Sequence, residues 1–200
     1  MCNNLSLRFK TIIMRYTKII LPCFIFLLCC TASLSTIAQN IWKAAFNGKI
    51  SEIEAELAKG TDINGKSPNG GFTPLHFAIG IGQTKAAEFL LSKGALTDIM
   101  NNAGTTVLMS AVVQKKEKLV KLLIDYKADV NLADSRNGLP IIYVVSYDGD
   151  YDMIELLYNA GANIEVKDGN GIELAKLVTL RKDKKKIEKL FASPPPAKSK

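Results

Sequence analysis

The chain has 200 residues, of which 48% are apolar and 22% are charged, and its formal net charge is +7. This composition favours one globular domain with a real core. The positive charge belongs to the two ends, because residues 39–178 contain 14 basic and 17 acidic side chains. A uniformly basic body of the kind that binds nucleic acid is therefore excluded.

The first 38 residues predict a signal peptide for export. Four basic side chains and no acidic one precede an apolar run at residues 19–30. Small residues at Thr36 and Ala38 then favour cleavage after Ala38. The basic segment before the apolar run is long for a signal peptide, which favours a translation start at Met14.

A membrane anchor is the alternative for the same segment. A spanning helix needs about 20 mostly apolar residues, and residues 19–38 are interrupted by Pro22 and by the Ser/Thr-rich stretch 31–36. We expect cleavage, which also removes all four cysteines. The mature chain then has no disulfide framework, no thiolate nucleophile and no cysteine metal site.

A repeat of 33 to 34 residues runs along the rest of the chain. The segments GFTPLHFA, GTTVLMSA, GLPIIYVV and GIELAKLV begin at Gly71, Gly104, Gly138 and Gly171. A second set of similar segments ends at Ala95, Ala128 and Ala162. Each repeat predicts two short helices, a left-handed residue after the second helix, and a polar connector. That left-handed residue is Gly94, Lys127 or Gly161. The repeats are expected at residues 41–70, 71–103, 104–137, 138–170 and 171–191.

The period, the TPLH motif at 73–76 and the connectors TDIN (61–64) and ADVN (128–131) resemble the ankyrin repeat. The resemblance covers residues 41–191. It implies an all-α repeat solenoid, an ankyrin-like array of about five helix–turn–helix repeats with short finger turns, preceded by the signal peptide. Residues 192–200 lack apolar periodicity and predict a disordered tail.

The two terminal repeats are expected to act as polar caps, because each inner repeat buries its apolar faces against two neighbours. In repeat 1 the second helix is expected to expose Glu52, Glu54 and Glu56. In repeat 5 the last helix has an apolar seam, Ile187 with Leu190 and Phe191, and lysines elsewhere.

The only histidine, His76, is the fourth residue of the TPLH motif. The resemblance implies a structural role in which its ring bonds to backbone and ties adjacent repeats. No histidine or cysteine partner remains in the mature chain, so neither a metal site nor a nucleophile with a histidine base is expected. We therefore expect no enzyme activity, no cofactor and no metal.

Three further motifs favour structural roles. The acidic segment at 148–152 resembles the start of a calcium loop but lacks the glycine and glutamate that such a loop needs; we expect Asp150 or Asp152 to cap a helix. Gly80 and Gly82 are expected at an inter-helix turn rather than in a phosphate loop. The basic run 181–189 is interrupted by acidic residues and predicts a solvated helix face.

The resemblance implies that a partner docks on the finger turns and on the late positions of each first helix, which form a concave face. The late-helix positions are Phe46 with Asn47, Gly80 with Ile81, Val113 with Gln114, and Tyr147 with Asp148. The turn positions include Asn69, Phe72, Asn102, Thr105, Arg136, Asn137 and Leu139. A line of Phe46, Ile81, Val113 and Tyr147 predicts an apolar stripe. Packing of some of these residues against neighbouring finger turns is the alternative.

The sequence thus predicts an exported, non-enzymatic binding module, periplasmic or secreted, that recognises a protein partner and is a monomer on its own. Its role would be that of a scaffold or of an immunity protein that neutralises a toxin. No nucleic acid and, after cleavage, no membrane is expected as a partner. The alternatives are an accessory factor in envelope oxidative-stress defence, or a membrane-tethered ankyrin protein.

Overall fold

The computed structural model describes residues 41–135, 138–146 and 150–195. The chain divides into two units, Met1–Gln39 and Asn40–Lys200, and the described residues all belong to the second. The predicted signal peptide, Arg136, Asn137, Tyr147, Asp148 and the end of the predicted tail lie outside the described residues.

The described part of the chain folds into ten short helices. They are α1 (residues 41–46), α2 (Ile50–Ala58), α3 (Pro74–Ile81), α4 (Thr84–Ser92), α5 (Val107–Val113), α6 (Glu117–Asp125), α7 (Pro140–Ser146), α8 (Tyr151–Asn159), α9 (Leu174–Thr179) and α10 (Lys184–Phe191).

These helices form five consecutive pairs. The first helices of neighbouring pairs pack together, α3 on α5, α5 on α7 and α7 on α9. The second helices also meet, α2 with α4, α4 with α6 and α8 with α10. The all-α array of five helix pairs that the sequence predicts is confirmed.

Local sequence sets the ends of α3. The Thr73 side chain accepts a hydrogen bond from the backbone N–H of His76, and Pro74 occupies the first helical position, where no N–H is needed. At the other end Gly82 takes a left-handed conformation, φ 91°, as expected for the inter-helix turn. The next repeat begins its first helix in the same way, with Thr106 accepting from the N–H of Met109.

The core consists of the apolar faces that adjacent pairs bury against each other. Leu75 and Leu108 lie at the same position of successive repeats, and both are almost fully buried. Ile79, Leu123 and Ile154 are fully buried as well. Each interface is thus a sheet of aliphatic side chains, and stability is shared between neighbours rather than held in one centre.

The predicted outer face of α2 is wrong at one position. Glu52 and Glu54 are exposed, but Glu56 is 4% exposed. Leu90 and Leu123 take the corresponding positions of the next two repeats and are buried, so the backbone directs Glu56 inward. Its carboxylate accepts from Lys59 Nζ at 2.7 Å and from Thr61 Oγ1 at 3.3 Å, which offsets its loss of water.

The residue after each second helix is left-handed, as predicted. Gly94 and Gly161 both have φ 90°, and Lys127 has φ 66°. A side chain at Lys127 is strained in this conformation.

Asp150 does not cap α8 in the way that the sequence predicts. Asp150 lies at the N-cap position with extended dihedrals, but its side chain makes no capping hydrogen bond. Asp152 lies in the first turn, where a negative charge interacts favourably with the helix dipole.

Two functional classes find no support in the residues at 41–135, 138–146 and 150–195. No helix there is long and apolar enough to cross a membrane. No group of three or more histidine, cysteine, aspartate or glutamate side chains there is arranged to hold a metal ion.

Candidate partner-binding surface

His76 connects two repeats. Its Nδ1 accepts a hydrogen bond from the backbone N–H of Thr73 at 3.2 Å and lies 2.8 Å from Thr73 Oγ1. Its Nε2 therefore carries the proton and donates to the carbonyl of Thr105, in the next repeat, at 3.2 Å. Burial lowers the pKa of His76, which favours this neutral form. The predicted structural role is confirmed.

Other side chains at the same repeat position make comparable bonds. Trp42 Nε1 donates to the carbonyl of Gly65 at 2.9 Å, and the Tyr143 hydroxyl donates to the carboxylate of Asp134. Sequence reasoning missed both, although a spacing of 33 to 34 residues from His76 aligns them with it. A polar aromatic side chain thus anchors the start of the first helix in repeats 1, 2 and 4.

The polar connectors join repeats through a ladder of hydrogen bonds. In each bond a side-chain oxygen of one repeat accepts from a backbone N–H of the next. The three bonds run to Asn64 from Leu96 at 2.9 Å, to Asp98 from Asp129 at 3.1 Å, and to Asn131 from Asn163 at 2.7 Å. Because the donors and acceptors recur at fixed positions, the ladder holds the repeats in constant register.

The finger turns are also held in place. Within a turn, Asn101 Oδ1 accepts from the N–H groups of Ala103 and Thr105. Between turns, the N–H of Asn102 donates to the carbonyl of Gly70 at 2.9 Å, and Ser135 Oγ donates to the carbonyl of Ala103 at 2.8 Å. Adjacent fingers therefore form one connected surface that a partner meets preformed.

Close approach between fingers explains one glycine. Gly71 has φ 66°, and a Cβ added there would lie 2.1 Å from Asn102 Oδ1. Any larger residue would separate the fingers of repeats 2 and 3.

The ends of the first helices expose apolar side chains. Phe46 is 44% exposed, Ile81 is 49% exposed and Val113 is 55% exposed. We call these three residues, together with Leu180, the apolar column. Leu180 follows α9 and is 81% exposed. Sequence reasoning missed it, although it lies 67 residues after Val113, two repeat lengths away.

Backbone bonds fix the base of this column. Gln83 Nε2 donates to the carbonyl of Phe46 at 3.3 Å, and Lys116 Nζ donates to the carbonyl of Gly80 at 3.1 Å. Arg181 does the same for Val145 at 3.4 Å while pairing with Asp183 at 2.8 Å. That pairing lowers the pKa of the Asp183 carboxyl.

An aromatic cluster lies beside the column in repeats 1 and 2. The ring of Phe77 lies 6.5 Å from that of Phe46 and 5.7 Å from that of Phe72, between centroids. The Phe72 ring also contacts that of His76 at 5.9 Å. Phe72 remains 36% exposed. Both expectations therefore hold here, since these rings pack on one another and still present apolar surface.

The remaining predicted contact residues differ in accessibility. Asn47 and Gln114 are exposed, and Thr105 is half-buried and uses its carbonyl to accept from His76. Leu139 is only 9% exposed, so the prediction that it contacts a partner is wrong. It directly precedes α7, where its apolar side chain packs into the array.

Comparisons with known proteins agree on the repeat array. A family model described as ankyrin repeats (3 copies) matches residues 41–134 and 96–168. An ankyrin repeat-containing protein of Schizosaccharomyces pombe is 30% identical over 152 residues, 73% of this chain and 72% of that protein. An ankyrin repeat protein of Rickettsia felis is 32% identical over 131 residues, 65% of this chain and 43% of that protein. One of fowlpox virus is 36% identical over 109 residues, 52% of this chain and 32% of that protein. The chain thus spans less than half the length of the last two relatives.

Proposed function

Because this chain belongs to the ankyrin-repeat family, whose repeats are protein-binding modules, we propose that it binds a protein partner through the apolar column and the adjacent finger turns. The observation that carries this proposal is the exposure of Phe46, Ile81 and Val113 at matching places of three repeats. Apolar side chains in a line on a fixed backbone are what a partner needs to bury.

The rigidity of the surface supports the proposal. The fingers and the helix ends are already hydrogen-bonded to neighbouring repeats, so binding orders little additional backbone. Less conformational entropy is then lost on association, which leaves more of the contact energy as affinity. The exposed polar side chains of Asn47 and Gln114 flank the apolar residues and would form a polar rim.

We further propose that the protein is exported, non-enzymatic, and works in the periplasm or outside the cell as a scaffold or as a toxin-neutralising immunity protein. Export rests on the basic and apolar pattern of residues 1–38. The membrane-tethered alternative predicts a retained leader. Edman sequencing of the purified protein distinguishes them, because export with cleavage gives Gln39 as the first residue.

The binding proposal is tested by crosslinking and capture from the envelope fraction of the source cells. The variant Ile81→Glu/Val113→Glu should lose a partner that the wild-type chain retains, because two charges would face its apolar surface. Losing one central contact of about 2 kcal/mol weakens binding about thirtyfold.

The matched control is Leu96→Glu/Tyr126→Glu. These two side chains are 57% and 41% exposed and lie outside the apolar column. The control should retain the partner. Equal capture by both double variants would show that the column is not the binding surface.

A further inference from the structure

An apolar groove of about 680 Å³ lies on repeat 5, between α9, α10 and the finger strand at 164–167. Its floor includes Val166, Leu174, Val178 and Phe191. None of its lining residues belongs to α7 or α8, which pack against α9 and α10. The groove therefore faces away from repeat 4, at the end of the array.

The groove occupies the surface that each inner repeat offers to the next. Ala175 lines it and takes the position at which Leu75 and Leu108 are 0% and 1% exposed. Phe191 also lines it and takes the position of Tyr158, whose ring is covered by that of Phe191 at 5.1 Å. The shape that remains is the seat of one more repeat, made hollow by the small Ala175 side chain.

The opposite end of the array has a matching surface. A second groove, of about 380 Å³, lies on repeat 1 and includes Lys49. Lys49 takes the repeat position of Gln83 and Lys116, whose side chains donate to carbonyls at the end of the preceding first helix. Lys49 pairs with Glu52 at 2.7 Å and is exposed, so its ammonium is available for a further acceptor.

The two grooves have opposite charge. The groove on repeat 5 is lined by three carboxylates and one lysine: Glu165, Glu173, Glu188 and Lys167. The groove on repeat 1 is lined by three lysines and two carboxylates: Lys43, Lys49, Lys59, Glu52 and Glu56. Opposite potentials favour and orient an encounter between the two ends. The methylene stems of the lysines can cover apolar surface while their charged ends stay in water.

We propose that copies of this chain associate head to tail, with repeat 1 of one copy seated on repeat 5 of the next as a sixth repeat. Lys49 then donates to the carbonyls of Thr179 and Leu180, as Lys116 does to those of Ile79 and Gly80. A contact between two different surfaces does not close on itself, so the products are short linear chains. The apolar column stays outside this contact.

The test uses sedimentation velocity over a concentration series, on protein expressed from the full chain and purified in the form that the cell produces. The mean mass of the wild type should rise continuously past the dimer, and added salt should oppose the rise. The variants Lys43→Glu/Lys49→Glu and Glu173→Lys/Glu188→Lys should each need about tenfold higher concentration for the same mean mass.

Mixing the two variants is the decisive step. Each variant alone opposes like charges across the contact, whereas the mixture offers a complementary charge at every contact and should associate at the wild-type concentration. The control Lys118→Glu/Lys121→Glu changes the net charge equally on exposed positions of α6 and should associate normally. Circular dichroism confirms that each variant is folded.

Three results would overturn the proposal. A mass that stays at the monomer throughout would uphold the monomer that the sequence predicts. A mass that stops at the dimer would indicate a symmetric contact. Association that survives in both charge-reversed variants, or that mixing does not restore, would exclude these two grooves as the contact.

Discussion

Replacing His76 with alanine should lower the free energy of unfolding by about 2–4 kcal/mol. The ring donates across the repeat boundary to Thr105 at 3.2 Å, a bond that contributes about 0.5–1.5 kcal/mol. Its removal also leaves the N–H of Thr73 without its acceptor. Thr73 is 1% exposed, and an unsatisfied buried donor costs about 1–3 kcal/mol.

Urea unfolding followed by far-UV circular dichroism measures this effect, with the slope against urea checked for two-state behaviour. Lys176→Ala is the matched control, because Lys176 takes the same position in repeat 5 and is exposed. We expect the control to change stability by less than about 0.5 kcal/mol. If the two variants unfold at the same urea concentration, the reasoning about His76 is refuted.

Three further predictions concern the same scaffold. Burial lowers the pKa of His76, so the unfolded chain binds the proton more readily. Stability present at neutral pH should therefore decline as pH falls below about 6.5; urea titrations at several pH values should show this decline in the wild type, with a smaller one in His76→Asn. Lys127→Gly should stabilise the array by about 1 kcal/mol, since φ is 66° there, and an unchanged urea midpoint would argue against strain. Asn131→Ala removes bonds to Asn163 and Gly161 and should cost about 1–2 kcal/mol; a thermal melt at the wild-type temperature would contradict the ladder.

The regular features of the fold were predictable because they depend on a period. Successive glycine-led segments fixed the five helix pairs, and the last glycine of each pair fixed the left-handed turn. Lys127 was assigned the same conformation from its position alone, and its φ of 66° confirms it. Such positions are set by neighbouring repeats, so one repeat predicts the next.

Features that depend on one side chain's surroundings were harder to predict. Glu56 reads as a solvated residue of a cap, yet the backbone directs it inward, where Lys59 and Thr61 bind its carboxylate. Leu139 reads as an exposed turn residue, yet it packs into the array. Leu180 was missed because attention stopped at the fourth repeat. In each case the outcome depends on which atoms lie next to the side chain in space.

The central claim is that a protein partner covers the apolar column, and site-specific photocrosslinking in the source cells tests it most directly. A benzophenone amino acid at Val113 should give a discrete crosslinked species, because this side chain is 55% exposed within the column. The same amino acid at Leu96, which is 57% exposed outside it, should give none. A discrete species at Leu96 and none at Val113 would contradict the account.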